Sequence, residues 1–207
     1  MSESDGSLRV RLVEVGVELL AREGPRALTL REIARRAGVS HGAPRRYFPT
    51  HQALLAAIAR EGYQRLGQQV AELVGGDDLD PHAQLLALSR LYLSFAQDNR
   101  GMFELMFRHD LLRGNGIGLR EASQALFGVL VDLVDRARPA VAGAPAPAVT
   151  AAALWASLHG IAELWQWGSL QTMVRTDDVE PLLRAALDAH VGPPKTTGPH
   201  QQPVNRY

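Results

Sequence analysis

TLREIARRAGVSHGAPRRYFPTHQALL, residues 29–55, decides the fold of this chain. Thr29 has the side-chain oxygen of a helix N-cap. Leu30, Ile33, Ala34 and Ala37 then recur at i, i+3, i+4 and i+7, one apolar stripe on a helix. Gly38 follows at once and supplies a left-handed stop. Ser40 is placed to cap the next segment, a short helix carrying Arg45, Arg46 and Tyr47, with Pro44 and Phe48 facing the first helix. A short helix showing two guanidiniums and a phenol to solvent suits the major groove of DNA.

Outward from this stretch the pattern stays helical, and no alternating run demands a sheet. Ser7 can cap a helix from Leu8 to about Glu23, with Leu12, Val15, Leu19 and Leu20 buried and residues 1–7 a polar tail. Gly24-Pro25 ends it. A longer helix is expected from His51 to Val74. A second helical unit follows. It has a helix from Pro81 capped by Asp80, a break at Asn99-Arg100-Gly101, an apolar helix over 102–112 and a loop at 114–116. Further helices are expected over 119–137, 150–167 and 179–191, with PAVAGAPAPA, residues 139–148, as a loop. The expected class is all-α. A three-helix helix-turn-helix DNA-binding domain spans residues 1–52, a helical-bundle ligand-binding and dimerisation domain spans 53–192, and 193–207 form a disordered tail.

Net charge is zero over 207 residues, but its distribution is uneven. Residues 22–60 hold eight arginines against two glutamates, a net +6, and residues 61–207 carry −4. A basic module on an acidic body is an electrostatic footprint for nucleic acid. The chain has no cysteine, which excludes disulfides and thiolate metal sites. No apolar run reaches membrane-spanning length, and the polar N-terminus does not read as a signal peptide, so a cytoplasmic protein without membrane contact is expected. The seven histidines lack metal-ligand spacing, no nucleophile motif or phosphate loop occurs, and catalytic, metal and cofactor sites are expected to be none.

The ordered set Gly24, Ile33-Ala34, Ala37-Gly38-Val39-Ser40, Tyr47-Phe48 and Leu54-Leu55 resembles the TetR family of bacterial one-component regulators. Trp155, His159 and Gly160, preceded by MFELMF at 102–107, are similar to a ligand-domain subgroup marked by Trp-x3-His-Gly. The resemblance implies a homodimeric regulator, a repressor, on a palindromic double-stranded operator, released when a small apolar effector enters the second domain. Two-fold symmetry sets half-site centres roughly 34–36 Å apart. It implies that Thr29, Tyr47 and His51 contact phosphates and that Arg31 reaches a base edge or a phosphate. Ser40, His41, Gly42 and Ala43 complete the DNA surface, the last two small enough for close approach, with Arg45 and Arg46 reading bases. The family usually has Tyr at position 45 and Lys at position 51, so operator preference is expected to differ.

Most large aromatics fall in the C-terminal half, and core packing accounts for most of them. The expected ligand pocket takes Phe95, Phe103, Met106, Phe107, Trp155, His159 and Trp165, with Trp155 and Glu163 flanking His159 at i−4 and i+4. A structural histidine in the core is the competing reading of His159. The competing readings of the whole chain are a small helical enzyme or lipid carrier using the aromatic cavity, and an adaptor with an incidental helix-turn-helix.

Overall fold

The computed structural model describes residues 3–76, 80–108, 118–139 and 142–194. Every regular element among them is helical: α1 (Glu3–Glu23), a 3-10 turn (Pro25–Ala27), α2 (Leu30–Arg36), α3 (Pro44–Tyr47), α4 (His51–Val74), α5 (Pro81–Asp98), α6 (Arg100–Met106), α7 (Leu119–Ala137), α8 (Pro147–Gln166), α9 (Ser169–Val174) and α10 (Glu180–Val191). The expected loop at 114–116 and the expected tail from 195 onward lie outside the described residues.

Local chemistry sets the helix starts. Thr29 Oγ1 accepts from Glu32 N at 3.2 Å, Thr50 Oγ1 from Ala53 N at 3.0 Å, and Asp80 Oδ1 from His82 N at 2.9 Å. Pro81 and Pro147 occupy first helical positions, where the missing N–H costs nothing. Gly38 takes φ 65°, a conformation its lack of a side chain makes cheap, and turns the chain between α2 and α3.

Several boundaries differ from the sequence reading. Helix α1 starts at Glu3, so Ser7 lies within it rather than capping it. The residues before Ser7 are polar and carry no apolar periodicity for the sequence reading to follow. Ser40 opens the α3 turn with its carbonyl, which accepts from Ala43 N at 3.0 Å, and not with its hydroxyl. The break after α5 is Asn99 alone, because Arg100 and Gly101 already belong to α6. Gly101 tolerates this place because it passes the Leu20 carbonyl so closely that a Cβ would lie 3.0 Å from it. Helix α8 begins three residues before Thr150, and α9 was not expected, since it buries no residue and so has no apolar signature.

The core is continuous. Leu12, Leu19 and Leu20 of α1 meet Ile33, Phe48 and Ile58, while Leu85, Leu133, Leu154 and Leu187 join α5, α7, α8 and α10. Pro44 and Phe48 are buried as expected, and the Arg9 guanidinium lies 5.4 Å from the Phe48 ring centroid. Helix α3 has only four residues, so its orientation depends on those two anchors. Phe48→Ala should therefore cost about 3–5 kcal/mol of unfolding free energy in chemical denaturation. A loss below about 1 kcal/mol would refute Phe48 as the anchor.

Candidate nucleic-acid interface and effector region

The helix-turn-helix face divides its arginines into two groups. Arg35 makes a two-pronged contact with Glu32, at 2.8 and 2.6 Å, and Arg36 reaches the same carboxylate at 2.8 Å and bridges to Glu23 on α1. These contacts, Arg35 first, hold Glu32 at about 2, well below its ordinary value. Both acids of the basic module are thus engaged by Arg35 and Arg36. Arg11 donates to the Ala37 carbonyl and braces the end of α2.

Arg31, Arg45 and Arg46 are exposed, and no carboxylate pairs with them among the described residues. Thr29, Ser40, His41 and Gly42 are exposed beside them, and Ala43 and Tyr47 are half-buried. One ring nitrogen of His51, Nε2, is engaged by the Leu28 carbonyl. The backbone N–H groups at the start of α4 remain the natural anion partners at this corner.

In the C-terminal half, Phe103, Phe107, Trp155 and His159 come together as one ring cluster. His159 stacks on Phe103 at 5.3 Å and meets Phe107 edge-on at 4.7 Å. Phe95, Phe103 and Met106 are sealed in the core at 3%, 1% and 0% exposure, so they form wall and foundation, not open surface. Trp165 has no ring contact with the cluster among the described residues; its carbonyl accepts from Gln171 Nε2.

Tyr92 is the member that the expected pocket omitted. The Trp155 indole can only donate, and it donates to Tyr92 Oη at 3.1 Å. That leaves the Tyr92 hydroxyl hydrogen for His159 Nδ1 at 2.9 Å. His159 accepts on Nδ1, so its ring proton sits on Nε2. Burial pushes the Tyr92 hydroxyl far above its ordinary value and pushes His159 down, with Glu163 pulling the histidine partly back. Tyr63, buried and donating to the Met106 carbonyl at 3.0 Å, is pushed up to about 12 by its burial. A separate apolar groove of about 450 Å³ runs between α4 and α7, lined by residues such as Gly67, Ala71, Ala125 and Leu126. Among the described residues no group of acids and histidines has metal-ligating geometry, and no helix is long and apolar enough to cross a membrane.

Comparison with known proteins agrees with this architecture. Residues 12–58 match the family described as bacterial regulatory proteins, tetR family, and residues 85–190 match the tetracyclin repressor-like C-terminal domain. A Rhodococcus sp. RHA1 protein of unknown function is 32% identical, with a TM-score of 0.73, covering 89% of this chain and 94% of that one. The TetR transcriptional regulator SCO0520 from Streptomyces coelicolor is 29% identical, with a TM-score of 0.51 over 90% of this chain and 99% of its own. An uncharacterized HTH-type transcriptional regulator in the dhlA 5' region of Xanthobacter autotrophicus is 40% identical over 83 residues, 39% of this chain and 40% of that protein. The matching family is one of regulators, not enzymes.

The His159 environment has a pH consequence. Its folded value lies below the ordinary 6.5 because burial disfavours the charged ring. The unfolded chain therefore takes up the proton first as pH falls, and the stability contributed by the neutral ring is present above 6.5 and lost below it. His159→Phe, which keeps a ring against Phe103, should lose less thermal stability than the natural protein when the pH is lowered from neutrality into the acid range. Equal acid sensitivity of the two melting temperatures would refute this.

Proposed function

Because this chain belongs to the TetR family of bacterial transcriptional regulators, we propose that it is a cytoplasmic homodimeric repressor that releases a two-fold symmetric operator when a small, largely apolar effector binds. The observation that carries the reading is the exposed trio Arg31, Arg45 and Arg46, with no carboxylate partner among the described residues, on a helix-turn-helix whose other arginines are internally engaged. The division we adopt is a DNA-binding unit, residues 1–52, and an effector and dimer unit, residues 53–192. Arg45 and Arg46 read base edges, Arg31 reaches a base or a phosphate, and Thr29, Tyr47 and the α4 N-terminus hold phosphates. The effector is sensed by the aromatic region around His159, and its preference for one domain arrangement lowers operator affinity by a coupling of about 1–3 kcal/mol.

Helix α8 supports the dimer. Its buried face holds Ala151, Leu154, Leu158 and Ala162, yet the opposite face is also apolar: Val149, Ala156, Gly160, Leu164 and Trp167. A helix apolar on all sides needs cover on all sides. Val149, Leu164 and Trp167 are 59%, 39% and 64% exposed in the single chain. Helix α10 lies alongside, tied by Ser157 and His190 at 2.9 Å, and adds exposed Ala185 and Ala189. A second copy related by two-fold symmetry covers this surface with itself.

Arg45→Ala and Arg46→Ala should each weaken specific operator binding by about 1–3 kcal/mol, with unchanged melting temperature, in mobility-shift titrations on the upstream DNA of its own gene. A double variant binding as tightly as the natural protein would overturn the recognition-helix assignment. Gly160→Glu should dissociate the dimer without unfolding the subunit, because a Cβ there meets no atom within 4 Å. A carboxylate buried without a partner weakens association by at least about a hundredfold. Light scattering that shows an undiminished dimer would exclude this face.

A further inference from the structure

Two backbone units meet at the turn that presents Arg45 and Arg46, and no backbone hydrogen bond joins them. The end of α2 is closed by Val39 N, which donates to the Ala34 carbonyl at 3.0 Å, and by Gly38 N, which donates to the Arg35 carbonyl at 3.2 Å. The next bond belongs to a new unit. Ala43 N donates to the Ser40 carbonyl at 3.0 Å, and Phe48 N closes α3 on the Pro44 carbonyl at 2.8 Å. Side-chain contacts must therefore set the angle between α2 and α3.

Helix α1 reaches both units. Arg11 donates through Nη2 to the carbonyl of Ala37, the residue that ends α2, 26 residues away. No backbone N–H reaches that carbonyl among the described residues, so the guanidinium satisfies an acceptor that the helix end leaves over. A Cβ on Gly38 would lie 3.4 Å from the same Nη2, which puts the guanidinium over the start of the turn. Two residues earlier on α1, the Arg9 guanidinium lies 5.4 Å from the ring centroid of Phe48, the residue that ends α3. Arg9 and Arg11 are exposed, and neither has a carboxylate partner among the described residues. What they do engage is one carbonyl and one ring, at the two ends of residues 37–48.

We propose that Arg9 and Arg11 are positioning residues for operator reading: from one helix they fix the ends of α2 and α3, and so the angle at which Arg45 and Arg46 meet the groove, without touching DNA themselves. Arginine suits both places, because its planar guanidinium donates to a carbonyl and lies flat on a ring. The role rests on the reading of Arg45 and Arg46 as groove residues. Base contacts by arginine are bidentate and strict in geometry, whereas attraction to phosphates tolerates a change of angle. Loss of the pair therefore lowers specific binding and spares non-specific binding.

The test is mobility-shift titration of the full-length protein across a range of salt, on the upstream DNA of its own gene and on a shuffled duplex of the same composition. Arg9→Met combined with Arg11→Met keeps hydrocarbon stems and removes both guanidiniums. This pair should lower the ratio of specific to non-specific affinity at least about tenfold. The salt slope on the shuffled duplex should stay unchanged. Arg9→Lys combined with Arg11→Lys should restore most of the ratio, since an ammonium still donates to a carbonyl and still attracts a ring face. Without DNA, amide hydrogen exchange in the Met pair should quicken over residues 37–48 and not in α4. An unchanged ratio overturns the proposal. So does equal weakening on both duplexes with a salt slope lower by about one to two units, which would make the two arginines phosphate ligands. Should the Met pair fail to fold, the single variants Arg9→Met and Arg11→Met decide by the same measures. If the natural protein does not distinguish the duplexes, or an Arg45→Ala, Arg46→Ala pair keeps the ratio, the groove reading falls and takes the positioning role with it. The exchange result then tells separately whether α1 holds the turn.

Discussion

Three places where a glycine lets two helices touch hold the molecule together. A Cβ on Gly16 of α1 would collide with the Ile58 side chain of α4. On Gly62 of α4 it would fall 2.6 Å from Met106 Sδ and 2.7 Å from Met102 of α6. On Gly101 of α6 it would fall 3.0 Å from the Leu20 carbonyl of α1. The contacts run α1 to α4, α4 to α6 and α6 back to α1, a closed triangle at the joint between the DNA-binding module and the rest. Close packing without voids makes such a joint stiff, since any one helix that shifts must displace side chains on the other two. Helix α4 belongs to both halves because of it. Leu54, Leu55 and Ile58 complete the core around α1 and α2, and Leu66 and Val70 extend the core beyond it.

Charge in the DNA-binding module is sorted by the same geometry. Glu32 sits three and four residues ahead of Arg35 and Arg36, the spacing at which helical side chains meet, and Glu23 closes the network from α1. Exposed ion pairs of this kind add little stability. Their larger effect is on the field: the module's net +6 resides on the arginines left outside the network, three of which flank the turn between α2 and α3. A uniform coat of arginine would bind any DNA through phosphates alone. Placing half of that charge, on Arg31, Arg45 and Arg46, beside one turn would, under the reading proposed above, favour one orientation on the DNA.

The sequence was most legible where one residue decides one geometry. Thr29, Gly38, Asp80 and Pro81 each carry a cap or stop that local chemistry forces, and the helices they bound appear where their spacing predicts. It was least legible where a feature depends on what lies far away in the chain. Tyr92 and Trp155 are 63 residues apart, and nothing in either neighbourhood announces the hydrogen-bond chain that fixes the His159 tautomer. Trp165, only six residues beyond His159, has the right chemistry for the ring cluster but lies elsewhere around the helix. His51 reads as a phosphate contact, and no local signal announces that its Nε2 also meets the Leu28 carbonyl, 23 residues away. Helix α9 escaped because it buries nothing, and burial is what periodicity records.

Helix α8 explains why the C-terminal half must be read as surfaces and not as a list of aromatics. Its twenty residues include a single formal charge, Glu163. One face, Ala151, Leu154, Leu158 and Ala162, is the subunit core. Trp155 and His159 occupy the flank beside it, where Tyr92 and Phe107 meet them. Small and large apolar residues fill the opposite side, including a glycine with open space before it. Apolar character alone cannot separate these surfaces, because all three share it. What separates them is the polar atom each contains: none on the core face, an ordered Trp-Tyr-His chain on the flank, and a backbone with open space before it at Gly160 on the outer side. A core face asks only for shape, a Trp-Tyr-His chain fixes the orientation of one ring, and a glycine with open space before it on an apolar strip leaves room for another backbone.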